Sequence, residues 1–287
     1  MSAIGFMGPA SKMGWVLRLV SRKYVVAGAW CPGGRGDLPS DVRIYDEPFQ
    51  LGADCSIIFK WDQSSGGDSD SIFGPQGLIH TLQSGSIIVE FNPRSLKAVT
   101  YAYSKLAETG IHYLDAATFG VPQSDHNWIA IISGSNDSFG VIEPVLRDAF
   151  KEVSFVGHIG TSTKMSFASR MIEAVNLIAF SEALAVCMRS GIQKETAINI
   201  LSKPEVIRQS DEYIRRKLVD EKFDPVVKLG EYIDNLENVE DFISSSQSSA
   251  LLFTLSRSIF ESAKSIGLSN LDYTSVFRAV KRIGGFL

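Results

Sequence analysis

Ala3-Ile4-Gly5-Phe6-Met7-Gly8-Pro9-Ala10-Ser11-Lys12-Met13-Gly14 is the stretch on which the reading of this chain turns. Ala3–Met7 is a short apolar run, as a buried strand requires. From Lys12 to Ser21 the apolar residues Met13, Val16, Leu17, Leu19 and Val20 fall on one face of a helix. Between them lies a turn of small residues. A strand that passes through such a turn into a helix presents the unsatisfied N–H groups and partial positive charge of the helix N-terminus, and so suits an anion such as a pyrophosphate. The pattern is G-x-A-x-x-x-G rather than a strict G-x-G-x-x-G, with Ala10 in place of the middle glycine. Gly8, Pro9, Ala10, Ser11, Lys12 and Met13 are therefore the candidate dinucleotide contacts, against the plainer alternative of an ordinary tight strand-to-helix turn.

The pattern continues outward from this turn. Apolar strands are read at Tyr24–Trp30, Asp54–Lys60, Gly85–Phe91, Ile111–Ala116, Trp128–Ser133 and Glu152–His158. Helices are read at Leu78–Leu82, Arg94–Thr109 and Val141–Phe150. Asp54–Lys60 is nearly all apolar, as a parallel strand buried on both faces would be. Alternation of this kind predicts a doubly wound α/β sheet of Rossmann type. After His158 strands give way to helices: Phe167–Ser190, Lys194–Leu201, Val206–Glu221, Val226–Ile243, Ser249–Ile266 and Tyr273–Ile283. The expectation is a dinucleotide-binding domain over residues 1–159 and an all-α domain over 160–287.

Composition narrows the class. The 287 residues are 45% hydrophobic and 21% charged, which is the balance of a globular chain, and the formal net charge of −4 gives no footprint for nucleic acid. The three cysteines, Cys31, Cys55 and Cys187, are far apart and form no CxxC or Cys/His cluster, so no metal site is expected and reduced thiols are. Met171–Met188 is the most apolar long stretch, but it contains Glu173, Asn176 and Glu182, which argues against a bilayer span. A soluble cytoplasmic protein is expected.

The second strand ends at Trp30-Cys31 without the Asp or Glu that would hold the ribose 2′-hydroxyl of NAD. The loop that follows carries Arg35, whose guanidinium can pair with the 2′-phosphate of NADP. NADP is therefore favoured, with NAD possible, Asp37 standing two residues away.

In order along the chain, Ile4-Gly5-Phe6-Met7-Gly8, Ala53-Asp54, Phe73-Gly74-Pro75-Gln76-Gly77-Leu78, Gly85-Ser86-Ile87-Ile88-Val89-Glu90, Leu114-Asp115-Ala116, Ser181-Glu182-Ala183-Leu184-Ala185 and Gly267-Leu268-Ser269-Asn270-Leu271-Asp272-Tyr273 resemble the β-hydroxyacid dehydrogenase family, relatives of 6-phosphogluconate dehydrogenase. The resemblance covers essentially the whole chain. It is strongest to a divergent branch with a phosphogluconate-dehydrogenase-like C-terminal domain. It implies a Rossmann domain followed by a helical domain that builds a homodimer, and hydride transfer between a nicotinamide cofactor and a small carbonyl or hydroxyacid substrate.

It also implies places for the site residues. Lys60 and Trp61 follow the third strand, where the family contacts the adenosine and nicotinamide ribose, and Asn92 follows the fourth, near the nicotinamide. Thr118, Phe119 and Gly120 occupy the substrate loop, where Phe119 stands for the family's carboxylate-binding serine. Lys164 is the candidate for the family's catalytic lysine, acting as general acid with its pKa lowered by burial; a solvated lysine in a first helical turn is the other reading. Asp234 stands near a second family lysine, on a helix that also carries Glu231, Glu237 and Asp241. Spacings of three and four put Asp234, Glu237 and Asp241 on one face, either a plain acidic surface or a site preferring an amine-bearing substrate. His126, before Trp128, is a minor acid–base candidate. The expected function is thus an NADPH-favouring oxidoreductase. Alternatives are an imine reductase on the same fold or a divergent dinucleotide-binding protein without catalysis.

Overall fold

A computed structural model describes residues 3–61, 70–93, 95–120, 128–189, 191–203, 212–245 and 250–285. The chain divides into two compact units, residues 1–166 and 167–287. This division falls inside a long helix, whereas the change of pattern in the sequence lies at 159/160.

The first unit runs β1 (Ile4–Met7), α1 (Ala10–Val20), β2 (Val26–Trp30), β3 (Ile44–Tyr45), α2 (Pro48–Asp54), β4 (Ile57–Lys60), α3 (Asp70–Phe73), a 3-10 turn (Leu78–His80), β5 (Ile87–Phe91), α4 (Leu96–Ala107), β6 (His112–Phe119), β7 (Ile129–Ser133), α5 (Asn136–Ala149) and β8 (Glu152–Phe155). The strands form one sheet in the order β3-β2-β1-β4-β5-β6-β7-β8. Every pairing is parallel except that of β6 with β7. This is the α/β doubly wound architecture expected. Apolar cores line both faces. One joins Phe6, Phe59, Val89, Phe91 and Leu114 to Met13, Val16 and Leu17 of α1 and Ile142 and Leu146 of α5. The other joins Met7, Ile58, Ile88 and Tyr113 to Leu51 of α2 and Val99 and Leu106 of α4. Burial on both faces is why these strands read as continuous apolar runs. The order reverses between β1 and β4, so the carboxyl ends of those two strands flank the crevice where open α/β sheets take ligands.

Three departures from the sequence reading have local causes. β3 and α2 escape a periodicity search because they span two and seven residues. Their signal is chemical: Pro48 opens α2, and Glu47 and Gln50 form a capping box across its first turn. β6 extends to Phe119 because Ala117, Thr118 and Phe119 pair with Ile131, Ala130 and Ile129 of the antiparallel β7. α5 begins at Asn136 rather than Val141, since the Ser135 side chain caps its polar first turn.

The helix α6 spans Thr161–Arg189, starting six residues before the point where its apolar periodicity begins. The second unit continues with α7 (Lys194–Leu201), α8 (Glu212–Asp220), α9 (Leu229–Ser245), α10 (Leu251–Ser265), a 3-10 turn (Tyr273–Ser275) and α11 (Val276–Ile283). Its core gathers Phe180, Leu184, Ile198, Leu218, Phe223 and Phe277. Asp272, fully buried, ties the Tyr273 turn to the segment before α9. It accepts from the Val226 N–H at 3.0 Å, the Thr274 hydroxyl at 2.7 Å and the Tyr213 hydroxyl. α6 is long and apolar enough to cross a bilayer by length and composition alone, a test that the core helix of a soluble protein also passes, and 39% of its most apolar 18-residue window is buried.

Candidate functional site

The turn after β1 is shaped by close backbone approach. Gly8 has φ +135°, and a Cβ there would stand 2.6 Å from the Trp61 carbonyl oxygen, so no side chain fits. The Gly8 N–H donates to the Trp30 carbonyl at 3.0 Å, and the Trp61 N–H to the Met7 carbonyl at 2.6 Å, which draws the ends of β2, β1 and β4 together. α1 then starts with Pro9 at its N-cap, no capping side chain and no acidic residue in its first turn. Its positive end is left for an outside anion, and the dinucleotide's pyrophosphate fits that donor set. Ser11 and Lys12 are exposed and Pro9 and Ala10 half-buried, whereas Met13 is fully buried in the core under α1. Met13 therefore supports the turn from beneath rather than facing a ligand.

The loop after β2 folds onto this turn. A Cβ on Gly36 would lie 2.9 Å from the Ala10 Cβ, and Leu38 packs against Gly14. Arg35, half-buried in the loop, donates from one guanidinium nitrogen to the Pro39 carbonyl at 2.5 Å. A guanidinium has five N–H donors, so this bond orients Arg35 beside the turn without exhausting it. Burial pushes the nearby Cys31 thiol up to about 11, with Arg35 pulling the other way.

Lys60 and Trp61 are not at an open edge. The Lys60 ammonium is buried and paired with Glu90 across β4 and β5 at 2.6 Å, and Glu90 also accepts from the Tyr113 hydroxyl. Trp61 stacks on Phe91, ring centroids 4.0 Å apart and planes 2° from parallel. Their side chains build the interior at the strand ends. A cationic side chain inside an apolar parallel strand demands a buried acid nearby, and Glu90 was the residue in sequence that could answer it.

Asn92 and Thr118, read separately as a cofactor and a substrate contact, are brought together. Asn92 Nδ2 donates to Thr118 Oγ1 at 2.7 Å, and the Thr118 N–H donates to Asn92 Oδ1 at 2.9 Å. The pair bridges the carboxyl ends of β5 and β6. Phe119 is half-buried and Gly120 exposed. A Cβ on Gly120 would meet the Trp128 ring at 2.7 Å, and Trp128 stacks on Trp15 of α1 with centroids 5.5 Å apart.

The first turn of α6 is anchored by Asp115, whose carboxylate is fully buried. It accepts from the Gly160 N–H at 2.8 Å, the Ser133 hydroxyl at 2.5 Å, the Ser162 hydroxyl at 2.5 Å, and the Thr163 N–H and hydroxyl at 3.0 and 2.6 Å. A carboxylate at a helix N-terminus complements its dipole as well as its N–H groups, which is why α6 starts at Thr161. Lys164 follows directly. Its backbone is held in this turn, but its side chain is exposed and lacks the burial expected of it as a candidate general acid.

On α9, Glu231, Asp234 and Asp241 are exposed, while Glu237 and Glu240 face Arg257 of α10 at 3.6 and 3.4 Å. Among the described residues, no three His, Cys, Asp or Glu side chains are grouped to hold a metal. His126 lies outside the described residues.

Comparison with known proteins adds the lineage. Residues 18–157 match the model of the NAD binding domain of 6-phosphogluconate dehydrogenase, a match that begins within α1 and leaves the Gly8–Gly14 turn outside it. The chain is 26% identical over 156 residues to 2-(hydroxymethyl)glutarate dehydrogenase of Eubacterium barkeri, covering 54% of this chain and 52% of that one. It thus spans about half the length of the curated relatives it matches. Among solved structures, 3-hydroxyisobutyrate dehydrogenase from Salmonella typhimurium superposes with a TM-score of 0.86 at 17% identity, over 97% of this chain and 99% of that one. The imine reductase of Myxococcus stipitatus in complex with NADP+ gives 0.62 at 16% identity, over 97% and 100%. At such identities the two structures speak for the shared fold.

Proposed function

We propose that the chain is a member of a β-hydroxyacid dehydrogenase-like family and an NAD(P)-dependent oxidoreductase acting on a small carbonyl or hydroxyacid substrate, with NADPH preferred. The observation that carries the reading is the uncapped N-terminus of α1, seated at the point where strand order reverses and closed off by the side-chain-free Gly8. Pro9, Ala10, Ser11 and Lys12 would hold the pyrophosphate. Arg35 would take the 2′-phosphate, an assignment supported by the missing acid at the end of β2 and by the packing of Gly36 on Ala10. Hydride would come from, or return to, the nicotinamide when one is bound.

Asn92 and Thr118 then stand on the ligand side of the sheet, and Lys164 is the proton donor of this reading. Asp115 fixes its main chain through Thr163.

We further propose a homodimer through the helical unit. Ile172 and Val186 on α6, and Leu251, Leu252 and Leu255 on α10, are exposed and apolar. A second copy would cover such a surface, and sedimentation that gives a monomer at micromolar concentration would refute it. The exposed acids of α9 favour one second reading, reduction of an imine, whose amine product they would attract.

Titration of the protein with NADPH and NADH, followed by fluorescence, tests the main reading. Saturable binding is expected. No binding of either at near-millimolar concentration would sink it. A screen of NADPH oxidation over hydroxyacid-derived ketones, aldehydes and cyclic imines then identifies the substrate class.

A further inference from the structure

We propose that the open edge of β3 is a docking site for the carboxyl terminus of a peptide, which adds a short antiparallel strand to the sheet. The site does not depend on the oxidoreductase reading. It lies at the end of the sheet, two strands over from β1.

The main chain supplies the first half of the site. β3 pairs only with β2, and Ile44 stands opposite Ala29. The Ala29 N–H donates to the Arg43 carbonyl at 2.8 Å. Main-chain groups of successive residues point to opposite sides of a strand, so the Ile44 N–H and C=O point outward, away from β2. Among the described residues neither has a partner. Beyond it the edge is already occupied. The Asp46 N–H donates to Gln50 Oε1 at 3.1 Å, and the Asp46 carbonyl accepts from Trp30 Nε1 at 3.1 Å. One rung is therefore on offer, at Ile44.

Side chains supply the second half. The edge borders a groove of about 420 Å³ against α2, where Phe49 and Ala53 give an apolar wall. A charge stands at each end of it. The Arg43 guanidinium lies 4.4 Å from the centre of the Tyr45 ring and 3.1 Å from Asp54, which also accepts from the Tyr45 hydroxyl at 2.6 Å. Arg43 is thus held in place through one nitrogen and keeps further N–H donors. Asp46 is exposed, three residues on, about 10 Å along an extended strand.

These charges set the direction of the guest. A strand antiparallel to β3 brings its terminal carboxylate to Arg43, whereas a parallel one would carry it to Asp46. The penultimate residue of the guest exchanges both hydrogen bonds with Ile44. The last residue, and the one two before it, fall on the face that Arg43 and Tyr45 share, beside Phe49 and Ala53, and should be apolar. The residue three before the end stands opposite Asp46 and should be Lys or Arg.

Fluorescence polarisation of the whole chain with fluorescein-labelled Lys-Leu-Val-Leu, free at its carboxyl end, tests this. Saturable binding is expected, tighter than that of Glu-Leu-Val-Leu. Amidating the peptide end, or Arg43→Ala, should weaken binding by about 10- to 100-fold, the range for a hydrogen bond to a charged group. Ile44→Pro removes only the outward N–H, a change that an edge strand tolerates, and should weaken binding about 2- to 10-fold, while Ile44→Val should not. Asp46→Lys should reverse the preference, so that Glu-Leu-Val-Leu binds more tightly than Lys-Leu-Val-Leu, a gain that misfolding cannot produce. No saturable binding to the wild type at millimolar peptide, equal binding of the free acid and the amide, or an unchanged preference in Asp46→Lys would overturn the site.

Discussion

Lys60 and Glu90 stand opposite each other on adjacent parallel strands, both buried, with ammonium and carboxylate 2.6 Å apart. Two charges here are tolerable only together, since the strands around them leave no water to solvate either one. Lys60→Met alone should therefore lower unfolding stability by about 3–5 kcal/mol, because it strands Glu90 between the Tyr113 hydroxyl and an apolar wall. Replacing the group as a whole, with Glu90→Leu and Tyr113→Phe added, should restore most of that loss. Urea midpoints of the single and triple variants decide it. A Lys60→Met chain as stable as wild type would show the pair to be dispensable.

Asp115 makes the complementary prediction at the start of α6. Asp115→Asn keeps the shape but turns an acceptor into an NH2 group facing the Ser162 and Thr163 hydroxyls and the Thr163 N–H. Losing two charge-assisted bonds of about 1.5–3 kcal/mol each should destabilise the first unit and fray the first turn of α6. Hydrogen exchange should show faster exchange at Ser162, Thr163 and Lys164, with the amides of β5 little changed. Protection that stays uniform through α6 would mean that the helix start needs no anchor.

These two sites also show what could be read in advance. The parallel strands were legible because burial on both faces writes itself as an apolar run, as in Ile57–Phe59. The opening turn was legible because Gly8 is required by its contact with the Trp61 backbone. The start of α6 was not, since its first turn is held by a carboxylate 46 residues upstream, from Asp115 to Thr161, and leaves no periodicity. Lys60 was misplaced for a related reason. A lysine at a strand end suggests a ligand edge, and only the register that sets it against Glu90 turns it inward. Asn92 and Thr118 were each picked out, but that they hold one another depends on β6 continuing past Ala116, which the pairing with β7 imposes.

Cysteine reactivity should follow burial. Cys31 and Cys55 are buried, and loss of hydration pushes their thiols up to about 11 and about 12. The thiolate is the nucleophile, so neither should react with iodoacetamide at pH 8 in the native chain. Cys187, partly exposed, should be alkylated first. Mass mapping after brief labelling checks this, and early modification of Cys31 would show that the loop after β2 opens in solution.

In the helical unit, Glu221 gives a dependence on pH. Burial pushes its carboxyl up, but the Lys281 ammonium at 3.1 Å and Lys194 at 3.3 Å more than offset this, and hold it below its ordinary value of 4.5. A depressed carboxylate contributes stability above its unfolded pKa and loses it as pH falls through the folded value. Glu221→Gln should therefore be less stable than wild type at pH 7, and the gap should close as the pH drops below 4.5. Urea midpoints from pH 7 to 3 measure it. A gap that stays constant across that range would remove Glu221 from the acid response.

Arg35 and Gly8 separate recognition of the 2′-phosphate from recognition of the dinucleotide. Arg35 keeps donors beyond the one engaged with Pro39, and they lie in a loop that packs on the pyrophosphate turn. The 2′-phosphate is what distinguishes NADPH from NADH, so Arg35→Ala should weaken NADPH by about 10- to 100-fold, one or more charge-assisted hydrogen bonds, and change NADH little. Gly8→Ala should act on both. Its Cβ would lie 2.6 Å from a backbone oxygen that cannot step aside without moving β4, so the turn itself must shift. Fluorescence titration of the two variants with both cofactors gives four affinities. Selective loss in Arg35→Ala beside common loss in Gly8→Ala supports NADPH on this turn. Equal effects of Arg35→Ala on the two cofactors would end the assignment of the 2′-phosphate to that residue, and unchanged binding in Gly8→Ala would place the dinucleotide elsewhere.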